Sequence, residues 1–164
     1  MKFKNLVLTL GVLMMLAFTS MAAAAPSQVN RSMTAINAAK AEIPAVCELV
    51  GYNVDGDTSI ITFKDPNTLE RYVVDVNTAT AKVQEIEVKG ATFVMGSTMV
   101  TKTPDDIEKI VLKNYPNAYE IVITQGQDGN NIYYIADFLT DKFDGELKLD
   151  PVTGAICERD LEYF

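Results

Sequence analysis

The chain has 164 residues with 14 Lys+Arg, 22 Asp+Glu, two Cys, no His and no Trp, for a formal charge of −8. An apolar content of 48% with 22% charged residues suits a packed core. Without His no Ser-His-Asp triad, Cys-His dyad or His-ligated metal centre can be built, two Cys fall short of a four-thiolate zinc site, and the acidic balance argues against nucleic-acid binding and against an anionic membrane surface.

Residues 1–24 open with Lys2 and Lys4, run apolar from Leu6 to Phe18 and close on Ala22-Ala23-Ala24. That order reads as a secretory signal peptide cut after Ala24. Its apolar run is shorter than the roughly 20 residues that cross a bilayer. Removing it takes away two lysines and no acid, so the exported chain is more acidic than the whole. The chain is expected to be secreted or periplasmic, with no membrane attachment after cleavage and with disulfides permitted.

Residues 25–88 and 103–164 read as two copies of one unit. Pro44 falls on Pro116, Glu48 on Glu120, Val50 on Val122, Ile60 on Ile132 and Asp65 on Asp137. In the first copy Ala35, Ala38, Ala39 and either Glu42 or Ile43 make a small-residue helical face, and Pro44 stops the helix. Cys47, Leu49 and Gly51 then alternate as a strand. Asp55-Gly56-Asp57 reads as a hairpin turn, and strands follow over 59–64, 71–76 and 81–88.

Residues 89–102 form a linker that is apolar at Phe93, Val94, Met95, Met99 and Val100. It either pads a groove between the copies or inserts into a partner. The second copy opens with sharper punctuation. Thr103 is an N-cap, Pro104 suits the first helical position, and Asp106 completes a capping box. Ile107, Ile110, Val111 and Asn114 share one helical face, and Pro116 ends the helix. Tyr119, Ile121 and Ile123 start a strand, and Asp128-Gly129-Asn130 turns it. Ile132, Tyr134, Ala136 and Phe138 lie on one face of the next, and strands follow over 145–150 and 155–164. The expected fold class is α+β: two tandem repeats, each one helix packed on an antiparallel sheet of three or four strands.

The closing motif Asp150-Pro151-Val152-Thr153-Gly154-Ala155-Ile156 carries a family likeness. So do the helix entry Asp106-Ile107 with Ile110, the stretch Pro116-Asn117-Ala118, and the strand Tyr133-Tyr134-Ile135-Ala136. With the signal peptide, these features resemble the PepSY domain. The first copy departs from the motif, with Asn77 for the Asp and Ala81 for the Gly. The resemblance implies an exported, non-catalytic module that binds a protein partner, with an extracytoplasmic peptidase the favoured class. It implies no catalytic residues and no cofactor. The alternative is a structural or small-ligand-binding protein of the cell envelope.

Among the carboxylates, Asp55, Asp57 and Asp65 suit a hairpin better than a calcium loop, which needs six to eight oxygens. Asp137, Asp141 and Asp144 suit a solvated strand end, so no metal site is expected. Glu158, Asp160 and Glu162 alternate with Cys157, Arg159, Leu161 and Tyr163, the pattern of a half-buried last strand whose acidic face suits a basic partner. The candidate partner-binding residues are Phe93, Met95 and Met99 in the linker and Tyr133 and Tyr134 in the second copy. Adjacent strand residues face opposite sides, so one of these two tyrosines is expected outward. Cys47 and Cys157 stand between a disulfide and two buried thiols.

Overall fold

The computed structural model describes residues 24–90 and 96–164. Helix α1 spans Ala24–Glu42, and strands β1 (Glu48–Asp55), β2 (Thr58–Lys64), β3 (Arg71–Asn77) and β4 (Val83–Lys89) follow it. Helix α2 spans Pro104–Asn114 and precedes β5 (Tyr119–Asp128), β6 (Asn131–Leu139), β7 (Phe143–Leu149) and β8 (Ile156–Tyr163).

The eight strands form a single antiparallel sheet in the order β1-β2-β3-β4-β8-β7-β6-β5. This corrects the expected pair of α+β repeats with separate sheets. The last strand of each half pairs with the other, Ile86 opposite Leu161 and Glu87 opposite Asp160. Physically, a four-stranded meander leaves its final strand with a row of unpaired N–H and C=O groups. Joining β4 to β8 satisfies both rows at once and makes one core where two small ones were expected.

Local signals explain the elements. The Thr103 side chain accepts from the Asp106 N–H at 3.3 Å while Asp106 Oδ2 accepts from the Thr103 N–H at 3.0 Å, so α2 begins on a closed capping box. Three connections use one device. Asp65 Oδ1 accepts from the Asn67 and Thr68 amides, Asn77 Oδ1 from Ala79 and Thr80, and Asp150 Oδ1 from Val152 and Thr153. The motif Asp150 to Ile156 is therefore the turn between β7 and β8. Gly154 stands at φ 75°, and Ala81 holds the matching place in the β3–β4 turn at φ 55°.

Both helices cover the same face of the sheet. Register sets Ile61, Val74, Ile86, Leu161, Gly145 and Phe138 side by side across six strands. Ala35, Ala39 and Ile43 of α1 and its exit close over this row from one side, and Ile107 and Val111 of α2 from the other. The Ala face of α1 packs on β2 and β3, while α2 packs on β5 and β6. Gly145 makes room for the Phe138 ring, which a Cβ there would meet at 2.5 Å. Tyr115 closes the end of α2 against Phe138 and Phe143, with ring centroids 4.7 and 5.9 Å away.

Candidate functional site

The other face of the sheet carries carboxylates. Strand alternation turns Asp75, Glu85, Glu162 and Asp144 to this side, and register aligns them in one row across β3, β4, β8 and β7. The next row runs Glu87, Asp160, Glu146 and Asp137 across β4, β8, β7 and β6. A third row is mostly basic, with Lys64, Arg71, Lys89, Glu158 and Lys148. Lys89 reaches Glu87 at 2.7 Å, and Lys148 reaches Glu146 at 3.6 Å and Glu158 at 3.1 Å. Among the described residues these lysine pairs reach only Glu87 and Glu146 of the eight acids in the first two rows.

Like charges opposite one another repel, and two of the acids, Asp75 and Glu85, are pushed up by burial together with this repulsion. Burial and then the charges of Asp160, Asp75 and Glu162 push the Glu85 carboxyl up. Burial and then Glu87 push Asp75 up. Asp160 Oδ1 is closed off from solvent without a hydrogen-bond partner, and a hydrogen bond between the Glu85 and Asp160 side chains adds to the forces that push Glu85 up. Between the strands Asp137, Asp144, Glu146, Asp160 and Glu162 line a shallow cleft of about 200 Å³. Among the described residues no three Asp, Glu, Cys or His side chains are placed to hold a metal ion. The arrangement can therefore attract and orient cationic groups on a broad surface.

The helix side offers a second concavity. Between α1 and α2, over β4 and β8, a groove of about 330 Å³ is lined by Glu42, Tyr72, Tyr115, Phe143, Arg159 and Tyr163. At its floor Arg159 Nη1 donates to Glu70 Oε1 at 3.0 Å, and the Tyr72 hydroxyl donates to Glu70 Oε2 at 3.0 Å. Burial alone would raise the Glu70 carboxyl. The hydrogen bond and charge of Arg159, with hydrogen bonds from Tyr72 and Thr68, hold it below the ordinary range instead. At the rim the Tyr163 hydroxyl donates to Glu42 at 3.2 Å.

The sequence-predicted site residues do not converge. Phe93 and Met95 lie outside the described residues, as does the signal peptide up to residue 23. Met99 is exposed beside the short bridge of Ser97 to Ile132. Tyr134 is 2% exposed, and its hydroxyl donates to the Lys102 carbonyl at 2.8 Å, so it is a core residue and not a contact surface. Tyr133 faces the other side of β6, half-buried opposite Gly126. No disulfide joins Cys47 and Cys157. Cys47 enters the edge strand β1, and Cys157 sits in β8 beyond β2, β3 and β4. At about 4.8 Å per strand their separation is far beyond the reach of a bridge. Sequence reasoning read the acids of β8, took Asp137 and Asp144 for a solvated strand end, and missed Asp75, Glu85, Glu87 and Glu146. The signal was present, since most of these acids alternate with buried residues along their own strands.

No sequence-family model matches the chain, and no curated protein matches it. A crystal structure of a Clostridium difficile protein, provisionally named a lipoprotein, is similar at 17% identity with a TM-score of 0.32. The match covers 78% of this chain and 90% of that one. No helix among the described residues is long and apolar enough to cross a membrane.

Proposed function

We propose that the chain is an exported, non-catalytic binding protein that docks a basic partner protein on the carboxylate face of its sheet. The observation that carries this reading is the pair of acidic rows across β3, β4, β8, β7 and β6, on the side that neither helix covers. Eight strands hold the array rigid, so a complementary partner meets a pre-organised surface. Such a face steers a basic partner by its field and releases self-repulsion on binding, so association weakens with salt. The likeness of Asp150 to Ile156 to the PepSY motif supports an extracytoplasmic peptidase as the partner class. Occlusion of the peptidase by the sheet face is then the inhibitory step.

The test compares the chain with the double variant Asp160→Lys, Glu162→Lys as bait for the exported fraction of its source cells. A basic protein retained by the first, lost with the second and released by salt is the expected result. A peptidase whose activity falls on addition of the chain completes it. Equal recovery by both baits overturns the reading. A second reading, a small aromatic or apolar ligand held between helix and sheet, is favoured by the tyrosine-lined groove over Arg159. It predicts that Tyr115→Ala alters ligand retention while the double lysine variant does not.

A further inference from the structure

The two edges of the sheet are not protected alike. At one edge α2 packs directly on β5 and half covers Ile121 and Ile123. At the other, α1 packs on β2 and β3, one strand further in. The helix-side residues of β1 are consequently exposed: Leu49 at 43%, Tyr52 at 38% and Val54 at 45%. The strand reads Glu-Leu-Val-Gly-Tyr-Asn-Val-Asp, with no Lys or Pro of the kind that guards a free edge. A hollow of about 340 Å³ lies alongside, lined by Arg31, Ser32, Tyr52, Val54 and Thr78. A β-bulge between Leu49 and Gly51 interrupts the strand near its start and leaves Gly51 to Asp55 regular.

We propose that a second copy of the chain pairs with β1, strand to strand and antiparallel, through Gly51 to Asp55. The segment is self-complementary about Asn53. That register sets Tyr52 opposite the partner's Val54 and Val54 opposite the partner's Tyr52, two aromatic–β-branched pairs on the helix side. Asn53 meets its own copy on the other side, where the two amides can bond to each other. Asp55 falls opposite Gly51, so no carboxylates oppose. The backbone agrees with this register. The two-residue turn closes on the pair Asp55–Thr58, and in such a hairpin the flanking residues exchange hydrogen bonds with each other. Alternation then turns the N–H and C=O groups of Tyr52 and Val54 outward, which are the residues the register joins. The joint repeats what β4 and β8 already do inside one chain. Its two-fold axis runs through the sheet, so both carboxylate faces stay on one side and the dimer is bivalent toward a basic partner.

Sedimentation velocity on protein purified after expression of the full-length sequence tests this across a concentration series. The wild type is expected to sediment as a dimer. The double variant Asn53→Lys, Val54→Lys places like charges across the joint at exposed positions and weakens self-association about tenfold or more. Val122→Lys on β5 leaves the dimer intact, and unchanged circular dichroism in all three shows that the fold stands. Asn53→Cys, on the axis, crosslinks two chains on mild oxidation, and the wild type does not. A wild type that stays monomeric throughout, or a double variant that dimerises as the wild type does, overturns the proposal.

Discussion

The helix-covered face and the bare face of the sheet are built from the same strands, one residue out of step. Ile61, Val74, Ile86, Leu161 and Phe138 make one side, and Asp75, Glu85, Glu162, Asp144 and Glu87 the other. The first side follows ordinary folding physics, with apolar side chains excluded from water and rings packed on rings. The second side works against stability, because its acids crowd one another and two of them are pushed up in pKa. A surface that costs stability and lacks a folding role is the kind that binding retains. The two faces should therefore answer substitution in opposite directions.

The largest expected effect falls on the covered face. Phe138→Ala removes a ring that is 1% exposed and packed against Tyr115 and Gly145. It should cost about 3–5 kcal/mol in urea unfolding. A cost below about 1 kcal/mol would mean that this face is not the core.

A smaller loss is expected at Arg159, a cation set into that face. Arg159→Met leaves the Glu70 carboxylate without its charge partner and should cost about 1–3 kcal/mol at neutral pH. Glu70 is held low in the folded chain, so the stability it contributes is present above the ordinary carboxyl range and is lost as pH falls through its lowered value. The gap between wild type and variant should close over that interval. A gap that does not change with pH would show that packing alone is lost.

The smallest effect has the opposite sign. Glu85→Gln on the bare face removes like-charge repulsion and should stabilise the chain by about 0.5 kcal/mol at neutral pH. The folded Glu85 carboxyl is raised, so its penalty is absent below the ordinary carboxyl range and grows as pH rises through that range to the raised value. The gain in thermal midpoint should vanish in acid. A variant less stable than wild type at neutral pH would erase the distinction between the faces.

The residues differ in how plainly they announced these roles. The capping box at Thr103, the stop at Pro116 and the alternation of Tyr134, Ala136 and Phe138 are local, and each is found where its spacing placed it. Aromatic character and alternation make both Tyr133 and Tyr134 candidates for contact, because they do not say which side of a strand is covered. Only the packing of α2 and the bond to the Lys102 carbonyl do. The acids of β8 read as a half-buried last strand, which is right in period and in chain order, but only the pairing with β4 and β7 puts β8 at the middle of the sheet.

By itself the sequence determined the ends of α2, the hairpin turns at Gly56 and Gly129, the absence of His and the period of the strands away from the bulges that flip Gly51 in β1 and Tyr119 in β5, because these depend on neighbours within a few residues. The tertiary structure alone decided that β4 pairs with β8, that the acids of five strands share one surface, that Cys47 and Cys157 stay apart, and that α1 leaves β1 uncovered. Those facts rest on backbone hydrogen bonds between segments distant in the chain, and any strand with a free edge can make them. The pattern of side chains along one strand does not name its neighbour.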